Sequence, residues 1–223
     1  MTFEFDHVFI CASHGGAEAD HLAALGLAEG APNTHPGQGT ACRRFFFANC
    51  YIELLWVSSA LEAQSEATSP THLYERWENR TNGACPFGLG FRPKVHNGDS
   101  APFGTWLYQP PYLPPSLSIH VATNTSIQRE PMLFYLPFAK RPDTYPTDRQ
   151  QPLRHPADLR EVTGVTLCHP CRDGLSPEVM AVAASRVVQL RVGSEYLLEM
   201  GFDHESRGQK ADFRPLLPLI FRW

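Results

Sequence analysis

A histidine and a glutamate stand in stretches that otherwise read as apolar strand: His7 in FEFDHVFIC at 3–11 and Glu53 in YIELLWV at 51–57. Alternate residues of an extended chain share a face, so His7 lies with Phe5 and Phe9, opposite Asp6, Val8 and Ile10. Glu53 lies with Tyr51, Leu55 and Val57, opposite Ile52, Leu54 and Trp56. Both faces of the second strand are apolar. A carboxylate there needs a cation, a hydrogen-bond donor or a proton, because isolated burial costs several kcal/mol. A hydrogen bond from His7 would serve, and so would a divalent metal held between the two, although two ligands alone hold a metal poorly.

The elements that must position this pair follow from patterning. Residues 3–11 form a strand ended by Gly15-Gly16, and AEADHLAALGL at 17–27 carries a helical apolar stripe. The segment 29–39, rich in Gly, Pro and Asn, is a loop, followed by strands in TACRRFFFAN and CYIELLWV. The opening therefore reads β-α-β-β. A second helix is expected over 70–80, with Pro70 at its first turn and Asn82-Gly83 past its end. Short strands are expected in PFGLGFRP, FGTWLYQPPYL, SLSIHVAT and PMLFYLPFAK. Residues 141–158 hold four prolines and few large apolar residues, which reads as a surface linker. It divides the chain into a core at 1–140 and a half-module at 159–223. That half repeats the β-α-β-β order: LREVTGVTLC, SPEVMAVAASRV, VVQLRVG, EYLLEMGF. The fold class is α+β.

The 223 residues are 43% hydrophobic, enough to bury a sizeable core as one large domain or two small ones. With a formal net charge of −4 and no run of Lys or Arg, the chain offers no electrostatic footprint for nucleic acid or an anionic membrane. A small neutral or anionic molecule is the expected partner. The N-terminus lacks the basic and apolar regions of a signal peptide, and no apolar run approaches the ~20 residues that span a bilayer. A cytoplasmic location is the expectation. Of the six cysteines, Cys11, Cys42 and Cys50 fall in or beside predicted strands, where a reduced thiol packs as a small hydrophobe.

FDHVFICA at 5–12, AALGL at 23–27, HPGQGTACRRFFF at 35–47 and YIELLWV at 51–57 follow one another in an order and spacing that resembles the glyoxalase-like branch of the vicinal oxygen chelate superfamily. The resemblance continues through PFGLGFRP at 86–93, MLFYLPF at 132–138, GVTLCHP at 164–170 and LPLIF at 217–221. It implies paired βαβββ modules whose curved mixed sheets enclose a cleft, often around a divalent metal such as zinc, iron, manganese or nickel. It also implies frequent homodimers. The family's first metal ligand matches His7 and its second matches Glu53. In the second module the pattern departs: Phe87 or Gly88 occupies the opening ligand position, and MLFYLPF has no carboxylate to close the set.

Other residues are candidates to complete a site. His120 in SLSIHVAT is a possible third ligand or catalytic group, against the alternative of a half-exposed strand histidine. Glu199 in YLLEMGF is a possible catalytic carboxylate, against an edge-strand surface group. His35 in HPGQGT is expected at the cleft mouth or capping the loop. Alternation sends one of Arg43 and Arg44 to the cleft, where it would pair with a substrate carboxylate or phosphate. Phe46, Tyr51, Trp56, Trp106 and Tyr108 are candidate wall residues. Gly37-Gln38-Gly39-Thr40 lacks the lysine and helix start of a phosphate loop and reads as a turn. Cys168 and Cys171 form a lone C-x-x-C, too isolated for a zinc knuckle, and no G-x-S-x-G elbow is present.

Two functions follow. The first is a metal-dependent lyase, isomerase or dioxygenase in which His7 and Glu53, with a third ligand such as His120 or water, hold the ion and a free carboxylate acts as base. The second is a non-catalytic protein that sequesters a small molecule, with His7 and Glu53 as a buried hydrogen-bonded pair.

Overall fold

The structure, a computed structural model, describes residues 2–95, 100–170 and 174–223. The first module contains β1 (Phe3–Cys11), α1 (Ala19–Ala24), β2 (Asn33–His35), β3 (Thr40–Phe46) and β4 (Tyr51–Val57). The loop expected at 29–39 thus contains a short strand, whose Asn33 and His35 pair with Cys42 and Thr40. Two short helices, α2 (Ala60–Ala63) and α3 (Leu73–Glu78), precede the second module. That module is β5 (Phe87–Pro93), β6 (Thr105–Tyr108), β7 (Ile119–Ala122) and β8 (Met132–Tyr135). Among the described residues no helix stands between β5 and β6, so the second module is four strands rather than a full βαβββ unit.

The modules share one mixed sheet in the order β2-β3-β4-β1-β5-β8-β7-β6. β1 lies at the centre, parallel to β4 and antiparallel to β5, with His7 opposite Tyr51 and Phe9 opposite Glu53. A register shift between Phe5 and His7 interrupts its pairing with β5. A bulge there breaks simple alternation, which lets Asp6 turn to the side of His7.

The sheet is apolar on both faces for two reasons. One face, carrying Val8, Ile10, Ile52, Leu54, Leu89 and Leu133, packs into a core shared with the C-terminal region. The other carries Phe9, Leu55, Val121, Met132 and Phe134, which form the inner wall of a cleft, with Cys42 packed among them.

A second sheet contains β9 (Val162–His169), β10 (Gln189–Val192), β11 (Leu197–Phe202), β12 (Lys210–Asp212) and β13 (Leu219–Arg222), in the order β10-β9-β11-β13-β12. Its helix α4 (Pro177–Ser185) starts where Pro177 follows Ser176, whose hydroxyl accepts the Val179 N–H. The expected β-α-β-β order is present, but the pairing differs from the first module. Here β10 pairs directly and in parallel with β9, whereas β2 lies at the far edge and the parallel partner of β1 is β4. Phe47 meets Phe202 edge-on at 4.8 Å, so the two sheets share one apolar core. Asn49 joins them through polar bonds: its side-chain amide donates to Val162 C=O at 2.7 Å and its oxygen accepts Val162 N–H at 2.9 Å.

The segment 141–158 is mostly exposed but fastened to the first module. Buried His155 accepts Ala28 N–H on Nδ1 at 3.0 Å, which leaves Nε2–H to donate to Phe46 C=O at 2.8 Å. Burial pulls its pKa down, in keeping with that neutral form.

Candidate active site

The concave face of the eight-stranded sheet encloses a cleft of about 180 Å³. Strand alternation brings side chains from six strands to it: Asn33 and His35, Arg44, Tyr51 and Glu53, His7 and Phe9, Met132 and Phe134, Ile119 and Val121. Gln38 and Tyr112 enter from loops, and Tyr108 from β6. The walls are mostly apolar, and the polar groups gather on the first module.

His7 is held from two sides. Its Nδ1 lies 2.6 Å from Asp6 Oδ2, and its ring stacks on Tyr51 with centroids 4.3 Å apart. A carboxylate only accepts, so Nδ1 carries the proton and Nε2 is left with its lone pair. Asp6 is fixed in turn by Arg92, whose guanidinium also binds Glu4 and the Asn49 carbonyl. Burial raises the Asp6 pKa, but the hydrogen bond from His7 and the charge and hydrogen bond of Arg92 outweigh it and hold the carboxyl below its ordinary value. Sequence alternation placed Asp6 on the opposite face; only the bulge brings it to His7.

Glu53 sits at the other end of the polar floor, buried, with the Cys42 thiol within 4.8 Å of its carboxylate. His35, Cys42 and Glu53 present ligand-type atoms within 4.8 Å of one another. Among the described residues this is the group of three able to hold a metal ion, and His7 is outside it. His35 is positioned by the β2–β3 hairpin: one nitrogen faces Thr40 Oγ1 at 2.9 Å and the other faces Asn33 Nδ2 at 3.0 Å. Burial lowers the His35 pKa, against the opposing pull of Glu53. Burial, followed by the Glu53 charge, pushes the Cys42 thiol up.

Of the residues singled out from sequence, His7, His35, Arg44, Tyr51, Glu53 and Tyr108 line this cleft. Phe46 lines an adjoining cavity that shares Arg44, Tyr51, Leu136 and Phe138 with the cleft and adds Asp6, Lys140 and Arg149. Five others stand elsewhere. His120 alternates with Ile119 and Val121, so it turns to the opposite face, beside the fully buried ring of Tyr135 at 6.0 Å. Glu199 belongs to the second sheet, bonded to Arg191 and Arg222. Arg43 is spent on Glu29 and Asp20 beside α1, next to Trp56, on the outer face of β4. Trp106 packs against Tyr108 at 5.9 Å but does not line the cleft. Cys171 lies outside the described residues; Cys168 is a buried free thiol near Arg191.

The ligand set that the resemblance implies is only half assembled. Across from His7 and Glu53, β5 and β8 present Gly88, Gly90, Met132 and Phe134. A Cβ on Gly90 would stand 2.8 Å from Phe134 and 3.0 Å from His7, so there is no room for a second-module ligand against His7.

Residues 5–93 match the sequence family described as Glyoxalase-like domain. A solved structure of a hypothetical protein from Staphylococcus aureus aligns over 99% of both chains at 8% identity, with a TM-score of 0.52. A methylmalonyl-CoA epimerase in complex with methylmalonyl-CoA and NH4+ aligns over 63% of this chain and 98% of its own, at 12% identity and a TM-score of 0.42. A Streptomyces coelicolor methylmalonyl-CoA epimerase variant in complex with 2-nitronate-propionyl-CoA aligns over 63% and 100%, at 13% identity and a TM-score of 0.41. No curated protein sequence matches the chain. The N-terminal module is thus similar to a glyoxalase-like domain over residues 5–93, and the whole chain shares its fold with the Staphylococcus aureus protein. No helix among the described residues is long and apolar enough to cross a membrane.

Proposed function

We propose that this chain is an enzyme that moves a proton at an acidic carbon of a small, largely apolar carboxylate or phosphate compound. The observation that carries this reading is the Asp6–His7 pair at the cleft floor. Nε2 of His7 takes the proton from carbon, and the Asp6 carboxylate 2.6 Å from Nδ1 stabilises the resulting imidazolium. The electron pair left on carbon moves onto the adjoining carbonyl oxygen of the substrate. Returning the proton gives an isomerisation, and expelling a β-substituent instead gives an elimination. Phe9, Phe134, Tyr108 and Tyr112 exclude water from the carbon skeleton. Arg44, at the junction with the cavity that also holds Lys140 and Arg149, binds the anionic group.

A divalent ion at His7 and Glu53 would act as a Lewis acid on substrate oxygen. The glycine and phenylalanine positions of β5 and β8 do not complete its ligand set, so the proton transfer is assigned to the side chains alone. The same missing ligands favour the second reading, a sequestering protein with an aromatic cleft.

Incubation in D2O with a panel of small 2-oxo and 3-oxo acids, followed by proton NMR, separates the two. Enzymatic exchange at carbon that falls about 10²–10⁴-fold in His7→Gln supports the assignment. Saturable binding without exchange in the wild type would leave the sequestering role.

A further inference from the structure

We propose that His35, Cys42 and Glu53 form a zinc site on the first module, separate from the His7 base and different from the ligand set implied by the resemblance. The inference does not rest on the proton-transfer reading. Three adjacent strands supply one donor each: His35 from β2, Cys42 from β3 and Glu53 from β4. Register explains why they converge. Cys42 is paired with Asn33 and Leu55, and Glu53 with Arg44, which places His35 and Glu53 diagonally on either side of the thiol.

All three are buried, and their donor atoms lie within 4.8 Å of one another. Zinc bonds of about 2.0–2.3 Å require movements of roughly an ångström to close on that triangle. One thiolate, one imidazole and one carboxylate form a mixed soft and hard set that suits zinc better than magnesium or calcium. His35 and Glu53 line the cleft, so a fourth position on the ion would face the cavity, as in catalytic rather than structural zinc sites.

The surroundings are already those of a ligating histidine. Thr40 Oγ1 accepts from His35 Nδ1–H at 2.9 Å and is itself held by the Gln38 amide at 2.8 Å. An outer partner of this kind fixes the tautomer and aims the opposite nitrogen. Nε2, now facing Asn33, is the ligand atom, and the Asn33 amide gives way to the ion. Binding deprotonates Cys42: the S–H bond breaks, the sulfur lone pair bonds to zinc, and the proton leaves to solvent. Metal affinity therefore rises with pH.

The test uses the whole chain, stripped with chelator and titrated with Zn2+ by calorimetry and with Co2+ by absorption spectroscopy. The expected result is one equivalent of metal and a near-ultraviolet thiolate-to-cobalt charge-transfer band, both present in His7→Gln. Cys42→Ala and His35→Gln lose stoichiometric binding, and Thr40→Val weakens it about 10–100-fold while keeping the band. Circular dichroism checks that each variant is folded. Should Cys42→Ala not fold, slowed alkylation of Cys42 by Zn2+ in the wild type is the supporting outcome. A wild type that binds no ion, shows no thiolate band, or whose Cys42 stays equally reactive with Zn2+ would overturn the site. So would binding kept by a folded Cys42→Ala and lost in His7→Gln.

Discussion

His7 and Asp6 are neighbours in sequence on a strand, yet their side chains meet at 2.6 Å on one side of the sheet. Neighbouring strand residues ordinarily point apart, and the bulge between Phe5 and His7 is what allows the contact. The arrangement gives His7 a fixed tautomer, and it buries Asp6 against a cation.

That burial makes stability depend on acid in a defined direction. The folded Asp6 pKa is below its unfolded value of about 4, so its contribution is complete above that pH and is lost as pH falls through the folded value. Asp6→Asn removes charged hydrogen bonds to His7 and Arg92 and should cost about 1.5–3 kcal/mol at neutral pH. Urea unfolding of both proteins at stepwise lower pH should show the gap closing. A gap that stays constant would mean that Asp6 is not ionised in the fold.

The two adjacent arginines should behave oppositely. Arg43 is committed to Glu29 and Asp20, so Arg43→Met should lower stability and leave ligand affinity within about twofold. Arg44 reaches the cleft with a hydrogen bond to Ala31 C=O and the face of Phe46 beneath it. Arg44→Met should weaken an anionic ligand about tenfold or more, with a smaller salt dependence. Equal losses in both variants, measured by calorimetry, would remove Arg44 from the site.

Gly90→Ala should strain the cleft, because its Cβ would press on Phe134 and on the His7 ring. Overpacking of this kind costs about 1–3 kcal/mol. Gly164→Ala, where no atom lies within 4 Å, is the control and should be neutral or slightly stabilising. Thermal melts that rank the two the other way would contradict the close approach of β5 to His7.

His120→Ala and Glu199→Gln should leave any carbon-proton exchange unchanged within about twofold, since neither reaches the cleft. A large kinetic loss in a folded His120→Ala protein would show that the β7 face has been misassigned.

The legible parts of the molecule were those written in alternation. The pattern of β1, β3 and β4 located His7, Tyr51 and Glu53 on one wall, and the order of motifs located the paired modules. Three residues, Asn-Thr-His, carry too little pattern to announce β2, which owes its pairing to the turn at Gly37 and Gly39, both at positive φ. Missing β2 hid the fact that His35 belongs to the same wall as Cys42. Cys42 read as a small hydrophobe because a buried thiol looks alike in sequence whether or not it faces a carboxylate. The faces of His120 and Trp106 depended on curvature and strand ends, which residue order does not carry. Alternation argued against the Asp6 contact altogether, since a bulge leaves no mark in composition.

Asn49 links matters that look unrelated. Its carbonyl receives Arg92, the cation that anchors Asp6 behind His7, while its side chain is tied at both ends to Val162 at the start of the second sheet. The aim of a single imidazole therefore passes through a peptide whose orientation is set by a strand from the far end of the chain. The C-terminal sheet is in this sense a tuning mount for the histidine rather than an appendage to the eight-stranded sheet. A shortened chain that kept every cleft residue would still be expected to hold that imidazole out of true.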